Sequence, residues 1–253
     1  FTGFRMAPLA REELVTCRDT ETIGKIGPDC LGYSFLPVVD DKENFIGLFD
    51  TRKKHEDNAL SVRECYTPIT EDWIIGNGAK VFDFIAVCEA RRAKFVVSET
   101  GIDGLVTVSD LIKEPVRMSS FALILELEDL TSRAIRQHYP EDQWLKDVAP
   151  KRSAEIMSRY DQARSDDFYT TLIDFTSLTD KLNILRQFFN PYPSKTSFNE
   201  KKQRIIALRN QIAHNRQIPD SERDIDKFIS SIKAISDLKN RLFEVVNSLS
   251  DAS

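Results

Sequence analysis

The sequence predicts an α+β protein in which a β-rich N-terminal half, residues 1–117, precedes an all-helical C-terminal half, residues 118–253. Three observations predict this class. Before residue 117, short apolar runs alternate with turn residues, as they do in hairpins. One such pattern occurs twice, with a spacing of about 57 residues. After residue 118, apolar residues recur at spacings of three and four, the period of an amphipathic helix.

The N-terminal repeat predicts two β-hairpins, each preceded by a short helix. Val38-Val39-Asp40 in the first hairpin matches Val96-Val97-Ser98 in the second, and Gly47 matches Gly104. Polar turn residues separate the apolar runs of each hairpin. The predicted elements are, in order, a helix over 20–30, strands over 35–39 and 45–49, a helix over 81–90, and strands over 94–98 and 102–107.

This repeat resembles a tandem pair of cystathionine-β-synthase-type (CBS) repeats over most of residues 9–117. The resemblance is strongest in the segment Gly104-Leu105-Val106-Thr107-Val108-Ser109-Asp110-Leu111. It implies two β-α-β-β-α repeats that form a cleft for an adenine nucleotide, which would be a regulatory ligand. Thr107 would then approach phosphate through its hydroxyl, and Asp110 would accept hydrogen bonds from the ribose hydroxyls.

Other interpretations of the repeat stay open. In the first repeat, Asp50 stands at the position of Thr107 and Lys53 at that of Asp110, so this repeat departs from the nucleotide-binding pattern. A CBS pair that binds nothing and only dimerises is one alternative. A second makes Thr107 the N-cap region of a helix that begins near Asp110, because Thr, Ser and Asp favour such positions with or without a ligand.

Residues 118–253 are predicted to form a helical bundle. Asn190-Pro191-Tyr192-Pro193-Ser194 interrupts the helical pattern, because proline cannot continue a helix. Ser197 is followed by Glu200 at the spacing of a capping box, which predicts a helix start there. The predicted helices cover residues 118–138, 151–163, 168–189, 197 to before Pro219, and 221–249.

The hexapeptide Arg209-Asn210-Gln211-Ile212-Ala213-His214 suits phosphodiester chemistry. Arginine neutralises phosphate oxygens, and histidine transfers protons near neutral pH. Residues 195–216 carry six Lys or Arg against Glu200 alone, which favours a phosphate ligand. The alternative is that the basic residues form only a solvated helix face. His214 would then be an imidazolium stabilised by the dipole near the C-terminus of the helix, and Arg209 would pair with a carboxylate such as Asp180 or Asp224.

A second segment, Arg133 to His138, has the same spacing, so the spacing by itself does not identify a site. Two features favour Arg209 and His214. A polar Asn210 follows the arginine directly, and the surrounding segment is basic, whereas Ala134 follows Arg133. We therefore expect Arg209, Asn210 and His214 to be the catalytic residues.

Residues 208–215 resemble the motif of HEPN-domain proteins, a family of helical bundles with many metal-independent endoribonucleases. The resemblance implies that the 2′-hydroxyl of RNA attacks the adjacent phosphate, so that DNA is a poor substrate. His214 would act as general base or acid, Arg209 would stabilise the charged phosphorane, and Asn210 would orient the phosphate or the histidine. Catalysis would need no cofactor or metal. A toxin-like or antiviral role follows only from analogy with the family.

The resemblance to HEPN-domain proteins also implies a homodimer with a composite active site, and the geometry of a helix gives the reason. Five residues rotate by about 500°, which places Arg209 and His214 ~140° apart around the helix. Two copies related by a two-fold axis would gather two arginines and two histidines around one phosphate. The resulting hypothesis is a nucleotide-regulated ribonuclease. The competing hypothesis is a non-catalytic nucleotide sensor whose bundle is an interaction module.

The sequence predicts neither a membrane-spanning segment nor a metal site. Hydrophobic residues make up 41% of the 253 residues and charged residues 30%, as in globular proteins. No segment approaches the ~20 apolar residues that span a bilayer. Cys17, Cys30, Cys65 and Cys88 form no C-x-x-C pair, which favours buried thiols in a reducing, cytoplasmic location, with a disulfide as the alternative.

Overall fold

The structure of the protein is a computed structural model that describes residues 5–6, 9–10, 14–26, 30, 32–53, 57–213 and 221–250. The chain divides into two units between Val116 and Arg117. The described part of the N-terminal unit contains two small sheets, and that of the C-terminal unit contains helices.

The two sheets of the N-terminal unit have the same strand arrangement. In each, a short strand runs parallel to the first strand of an antiparallel hairpin. The first sheet contains β1 (Cys17–Arg18), β2 (Phe35–Val39), β3 (Phe45–Asp50) and β4 (Thr67–Pro68), and the second contains β5 (Ile74–Gly76), β6 (Ala93–Ser98) and β7 (Gly101–Thr107). Both predicted hairpins are confirmed. Each shifts register at the corresponding valine pair, Val38/Val39 or Val96/Val97.

The short helices of this unit differ from the prediction in one repeat. The helix predicted over 81–90 is confirmed as α1 (Val81–Val87). The helix predicted over 20–30 is wrong over residues 20–26, which contain a 3₁₀ turn at Ile23–Lys25 and no α-helix; residues 27–29 lie outside the described residues. The N–H groups of Ile23 and Gly24 donate to carbonyls of Leu60 and Asn58 rather than to a helix of their own. After each hairpin, a 3₁₀ turn takes the place of the predicted closing helix.

Strand β2 contributes side chains to two hydrophobic clusters of the N-terminal unit, because its side chains alternate between its two faces. Leu36 and Val38 pack in one cluster with Val62. Phe35, on the opposite face, packs in another cluster with Phe95 and Leu105 of the second sheet. The packing of β2 against β6 and β7 therefore brings the start of β2 close to the end of β7.

The C-terminal unit has the five predicted helices in the predicted order. They are α2 (Glu114–His138), α3 (Pro150–Ser165), α4 (Leu178–Phe188), α5 (Lys195–Ala213) and α6 (Glu222–Ser250). A core cluster is centred on Trp144, which is fully buried with Ile135, Ile156 and Ile184. No helix in the described part of the chain is both long enough and apolar enough to cross a membrane.

Three predicted helix starts are wrong. The helix predicted over 118–138 begins four residues earlier, at Glu114. The helix predicted over 168–189 begins only at Leu178, because Ser177 and Asp180 form a capping box there. Thr171 and Asp174 form another capping box that starts a separate 3₁₀ turn, Leu172–Phe175. Helix α5 begins at Lys195 rather than at 197, and the hydroxyl of Ser194 accepts the N–H of Ser197 at 3.1 Å.

Candidate functional site

Thr107 and Asp110 lie where β7 ends and a 3₁₀ turn, Val108–Ile112, begins. The backbone N–H and the hydroxyl of Thr107 both donate to Oδ2 of Asp110, at 2.7 and 3.1 Å. The other carboxylate oxygen of Asp110 lies 2.9 Å from the Lys113 ammonium, and only 2% of the Asp110 side chain is exposed. The structure therefore places the two predicted ligands together, but Asp110 already caps the turn and forms an ion pair.

A cleft opens beside Thr107. It is a small cleft that is partly open to solvent. Its wall consists of the segment before β1, the start of β2 and the end of β7, formed by Leu14, Val15, Gly32, Tyr33, Ser34, Phe35, Pro37, Leu105, Thr107 and Ser109. Asp110 is not in this wall, and the described residues that form it carry no charge.

Hydroxyl groups and aromatic rings therefore dominate the chemistry of this cleft. Tyr33, Ser34, Thr107 and Ser109 offer donors and acceptors, while Phe35 and Leu105 offer apolar surface. The sequence argument identified Thr107 and missed the others. Ser109 lies in the motif around Thr107, so it had a sequence signal. Tyr33 and Ser34 reach the cleft only because β2 packs against the second sheet.

In the first repeat, the position that corresponds to Thr107 is occupied by Asp50, which forms an ion pair. Asp50 accepts the guanidinium Nε of Arg52 at 2.9 Å and its backbone N–H at 3.1 Å. Burial disfavours the Asp50 carboxylate, but the hydrogen bonds from Arg52 outweigh it and hold the pKa of Asp50 below its ordinary value. The Arg52 guanidinium also lies 4.6 Å from the centre of the Phe35 ring. Lys53 is exposed.

Arg209 and Asn210 lie in the last two turns of α5. Arg209 is half-buried and donates through Nη1 to Oδ1 of the exposed Asn210, at 3.3 Å. Among the described residues, no carboxylate forms an ion pair with Arg209. Asp180 pairs with Arg152 and Asp224 pairs with Lys227. His214 lies outside the described residues, so its distance from Arg209 stays a sequence expectation.

The positive charge of α5 is not as free as the sequence suggested. Lys201 forms an ion pair with Asp237 at 2.7 Å, and Lys202 donates to Asn183 at 2.8 Å. Arg204 donates to the hydroxyl of Ser230 at 2.9 Å. Burial, with a smaller effect of Arg186, lowers the pKa of Lys202. These cations hold α5 against α4 and α6, so the expectation of a free basic face is corrected.

The second Arg-x4-His segment has structural contacts on both side chains. Arg133 forms an ion pair with Asp129 at 3.0 Å, four residues earlier in α2. His138 stacks on Phe188, with ring centres 4.1 Å apart and planes 7° from parallel. Arg209 makes no such ion pair with any residue that the structure describes, which distinguishes the two segments.

Metal-binding residues do not cluster in the part of the chain that the structure describes, where no group of three or more His, Cys, Asp or Glu side chains is arranged to hold an ion. Cys17, Cys30, Cys65 and Cys88 all lie in the described part of the chain, and none of them forms a disulfide. Burial raises the pKa of Cys17 to about 12, so this thiol is not activated.

The comparisons with known proteins concern the N-terminal part of the chain. No family model matches the sequence, and no curated protein matches it either. The similar solved structures are CBS-domain proteins. One is the CBS domains of a transcriptional regulator from Streptococcus pneumoniae, at 16% identity and a TM-score of 0.37, covering 43% of this chain and 96% of that chain.

Two further structures have similar scores. A conserved CBS-domain protein from Thermoplasma acidophilum has 19% identity and a TM-score of 0.38, covering 43% of this chain and 67% of that one. CBSX2, solved in complex with AMP, has 14% identity and a TM-score of 0.38, covering 46% of this chain and 98% of that one.

Proposed function

We propose that the N-terminal unit binds an adenine nucleotide in the cleft beside Thr107. The observation that carries the proposal is that Thr107 lies in the wall of a cleft whose other polar side chains also carry hydroxyls. The sequence resemblance to CBS pairs supports the class of ligand. Asp110 acts in this proposal as a positioning residue, because its carboxylate holds Thr107.

The uncharged wall leads to an expected order of affinity. Each added phosphate brings negative charge that the described wall does not neutralise, and desolvating an unpaired charge is costly. We therefore expect AMP to bind more tightly than ATP. Calorimetric titration with adenosine, AMP and ATP tests this. Thr107→Val should weaken AMP binding, whereas the matched variant Thr100→Val, at an exposed turn, should not. Absence of binding by all three compounds would contradict the proposal.

A second function is proposed for the helical unit, cleavage of RNA by Arg209, Asn210 and His214. The observation that favours it is that Arg209 forms no ion pair among the described residues, while Lys201 does. The 2′-oxygen would form a bond to phosphorus as the bond to the 5′-oxygen breaks. One His214 would take the 2′-hydroxyl proton, and a second would protonate the leaving oxygen. Arg209 would stabilise the phosphorane.

This chemistry needs two copies of the chain, which makes a homodimer part of the proposal. The products would be a 2′,3′-cyclic phosphate and a 5′-hydroxyl. Incubation of the purified protein with total RNA in EDTA tests cleavage directly. We expect cutting by the wild type, and none by Arg209→Ala or His214→Ala. If all three proteins leave RNA intact, with and without AMP, the chain is better described as a non-catalytic sensor.

Regulation links the two proposals. A nucleotide in the cleft can change the rate of cutting only if it binds the active and inactive states with different affinities. Measuring cutting rates at increasing AMP concentrations, in the wild type and in Thr107→Val, tests this link. We expect the response to AMP to weaken in the variant while the rate without AMP stays unchanged.

A further inference from the structure

A groove on the helical unit combines stacking surfaces with polar groups. It lies where α3 ends and the following 3₁₀ turn begins, and most of it is open to solvent. Two phenylalanine rings, Phe168 and Phe175, contribute to its wall together with Arg159, Gln162 and Asp166. None of these residues belongs to the cleft or to the Arg209 segment.

The backbone fixes the position of Phe168. Helix α3 ends in a Schellman arrangement, in which the N–H of Phe168 donates to the carbonyl of Ala163 and the N–H of Asp167 to that of Arg164. Asp167 has a φ of 61°, the left-handed conformation that this motif requires. Because both hydrogen bonds reach back into the helix, Phe168 follows a defined turn.

The aromatic side chains of this turn do not pack into the core. Phe168 is 68% exposed and Tyr169 is fully exposed, so two consecutive aromatic rings face solvent. Phe175, in contrast, is half-buried against the core cluster that contains Trp144, and the guanidinium carbon of Arg159 lies 5.7 Å from the centre of its ring. Adjacent exposed aromatic rings are unusual on a surface without a binding partner.

The groove also contains two kinds of polar group, a hydrogen-bond acceptor and a cation. The side-chain amide of Gln162 donates to both oxygens of Asp166, at 3.2 and 3.0 Å, which orients that carboxylate. Arg159 forms no ion pair with any described residue, and as a residue it is exposed. The groove therefore offers an oriented acceptor, a planar cation and aromatic surface.

We propose that this groove binds an unpaired base of single-stranded RNA. The base stacks on Phe168, the next base stacks on Tyr169, and Arg159 binds the phosphate between nucleotides. Exposed aromatic rings with a guanidinium are the groups by which proteins hold unstacked bases and their backbone. Duplex RNA does not fit this chemistry, because its bases are already stacked and paired. The proposal rests on the proposed ribonuclease function, since it concerns how the same substrate is held.

Fluorescence anisotropy with a mixed-sequence 12-nucleotide probe tests the groove. Binding is measured in a His214→Ala background, which prevents cutting, with single-stranded RNA, single-stranded DNA and duplex RNA. Single-stranded DNA has the same stacking surfaces but no 2′-hydroxyl, so it reports the groove without the proposed reaction. We expect both single strands to bind and the duplex to bind much more weakly.

Three variants identify the residues involved. Phe168→Ala and Tyr169→Ala should each weaken binding by about 10-fold, the effect of losing one stacked base. Arg159→Gln should weaken binding and reduce the slope of log Kd against log salt by about 0.7, the effect of losing one phosphate contact to a single strand. Phe243→Ala, which removes an exposed aromatic ring of α6, is the matched control and should bind as the parent does.

Several outcomes overturn the proposal. Unchanged affinity in both aromatic variants, or equal binding of the duplex, excludes base stacking in this groove. Light scattering measures the molecular mass of the protein in solution. If Phe168→Ala changes this mass, the groove is a contact between copies of the chain. If the wild type cuts RNA and Arg209→Ala does not, while Phe168→Ala binds normally, only this inference fails. If single-stranded DNA binds through Phe168 but RNA is never cut, only the ribonuclease proposal fails.

Discussion

The Asp110 carboxylate accepts hydrogen bonds from both the backbone N–H and the hydroxyl of Thr107, at 2.7 and 3.1 Å. Two residues that the sequence predicts as ligands of one nucleotide are thus bound to each other. Since Asp110 is 2% exposed and also pairs with Lys113, its carboxylate supports the local backbone. Thr107, in contrast, contributes to the wall of the cleft.

Different effects are therefore expected from Asp110→Asn and Thr107→Val. Asp110→Asn weakens the cap and the ion pair, and should lower the free energy of unfolding by about 2 kcal/mol. Thr107→Val should cost about 1 kcal/mol of stability and should weaken AMP binding by roughly 5- to 10-fold. Urea denaturation and calorimetry measure the two effects. If Asp110→Asn kept the stability of the wild type but lost AMP binding completely, this result would mean that Asp110 contacts the ligand directly.

Gly47 of β3 has no room for a side chain. A Cβ atom at this position would overlap the ring of Tyr66 and approach the carbonyl oxygen of Thr67 to 2.5 Å. Gly47→Ala should therefore lower the free energy of unfolding by about 3 kcal/mol. Gly76→Ala is the control, because no atom lies within 4 Å of its added Cβ, and its effect should stay under about 0.5 kcal/mol. Equal denaturation midpoints for the two variants would contradict this account.

Asp180 should make the helical unit sensitive to acid. Burial disfavours its carboxylate, but hydrogen bonds from Arg152 and Ser177 outweigh burial and hold its pKa below the ordinary value. A lowered folded-state pKa means that the stabilisation is complete above the unfolded pKa of about 3.9 and is lost as the pH falls through the folded pKa. Asp180→Asn should cost about 2 kcal/mol at pH 7 and flatten this acid-dependent loss.

Denaturation measured between pH 7 and pH 2.5 checks the Asp180 prediction. The control is Asp129→Asn, which removes an exposed ion pair with Arg133 and should change stability by less than about 0.5 kcal/mol. If Asp180→Asn kept the full acid dependence of the wild type, other carboxylates would have to account for it.

The two Arg-x4-His segments should respond differently to substitution. His138→Ala removes the stacking contact with Phe188, so it should lower stability by about 1 kcal/mol without changing RNA cutting. Arg133→Ala removes one exposed ion pair and should change neither property measurably. His214→Ala should abolish cutting. Loss of cutting in His138→Ala but not in His214→Ala would show that the wrong segment was assigned.

Local sequence determined the strands and most of the helices. The apolar runs around residues 40–44 formed a hairpin because alternation and turn residues act over short distances. The three-and-four spacing, together with the proline break at 190–194 and the capping-box spacing after it, located five helices. It misplaced the start of the helix predicted at 168, because Leu172 and Phe175 are buried or half-buried in a 3₁₀ turn that has its own cap. A stripe of apolar residues does not say where one capped segment ends and the next begins.

The sequence by itself determined the repeat, the hairpins, the helical second half and the residue types near Thr107 and Arg209. Only the tertiary structure decided which charged groups are already engaged. Lys201 pairs with Asp237 across 36 residues of sequence, and Arg152 pairs with Asp180 across 28 residues. It also brought Tyr33 to the cleft and Phe168 to the groove. The physical reason is that a motif specifies the chemistry of a side chain, whereas packing specifies its neighbours, and those neighbours decide whether its charge, hydroxyl or ring remains accessible to a ligand.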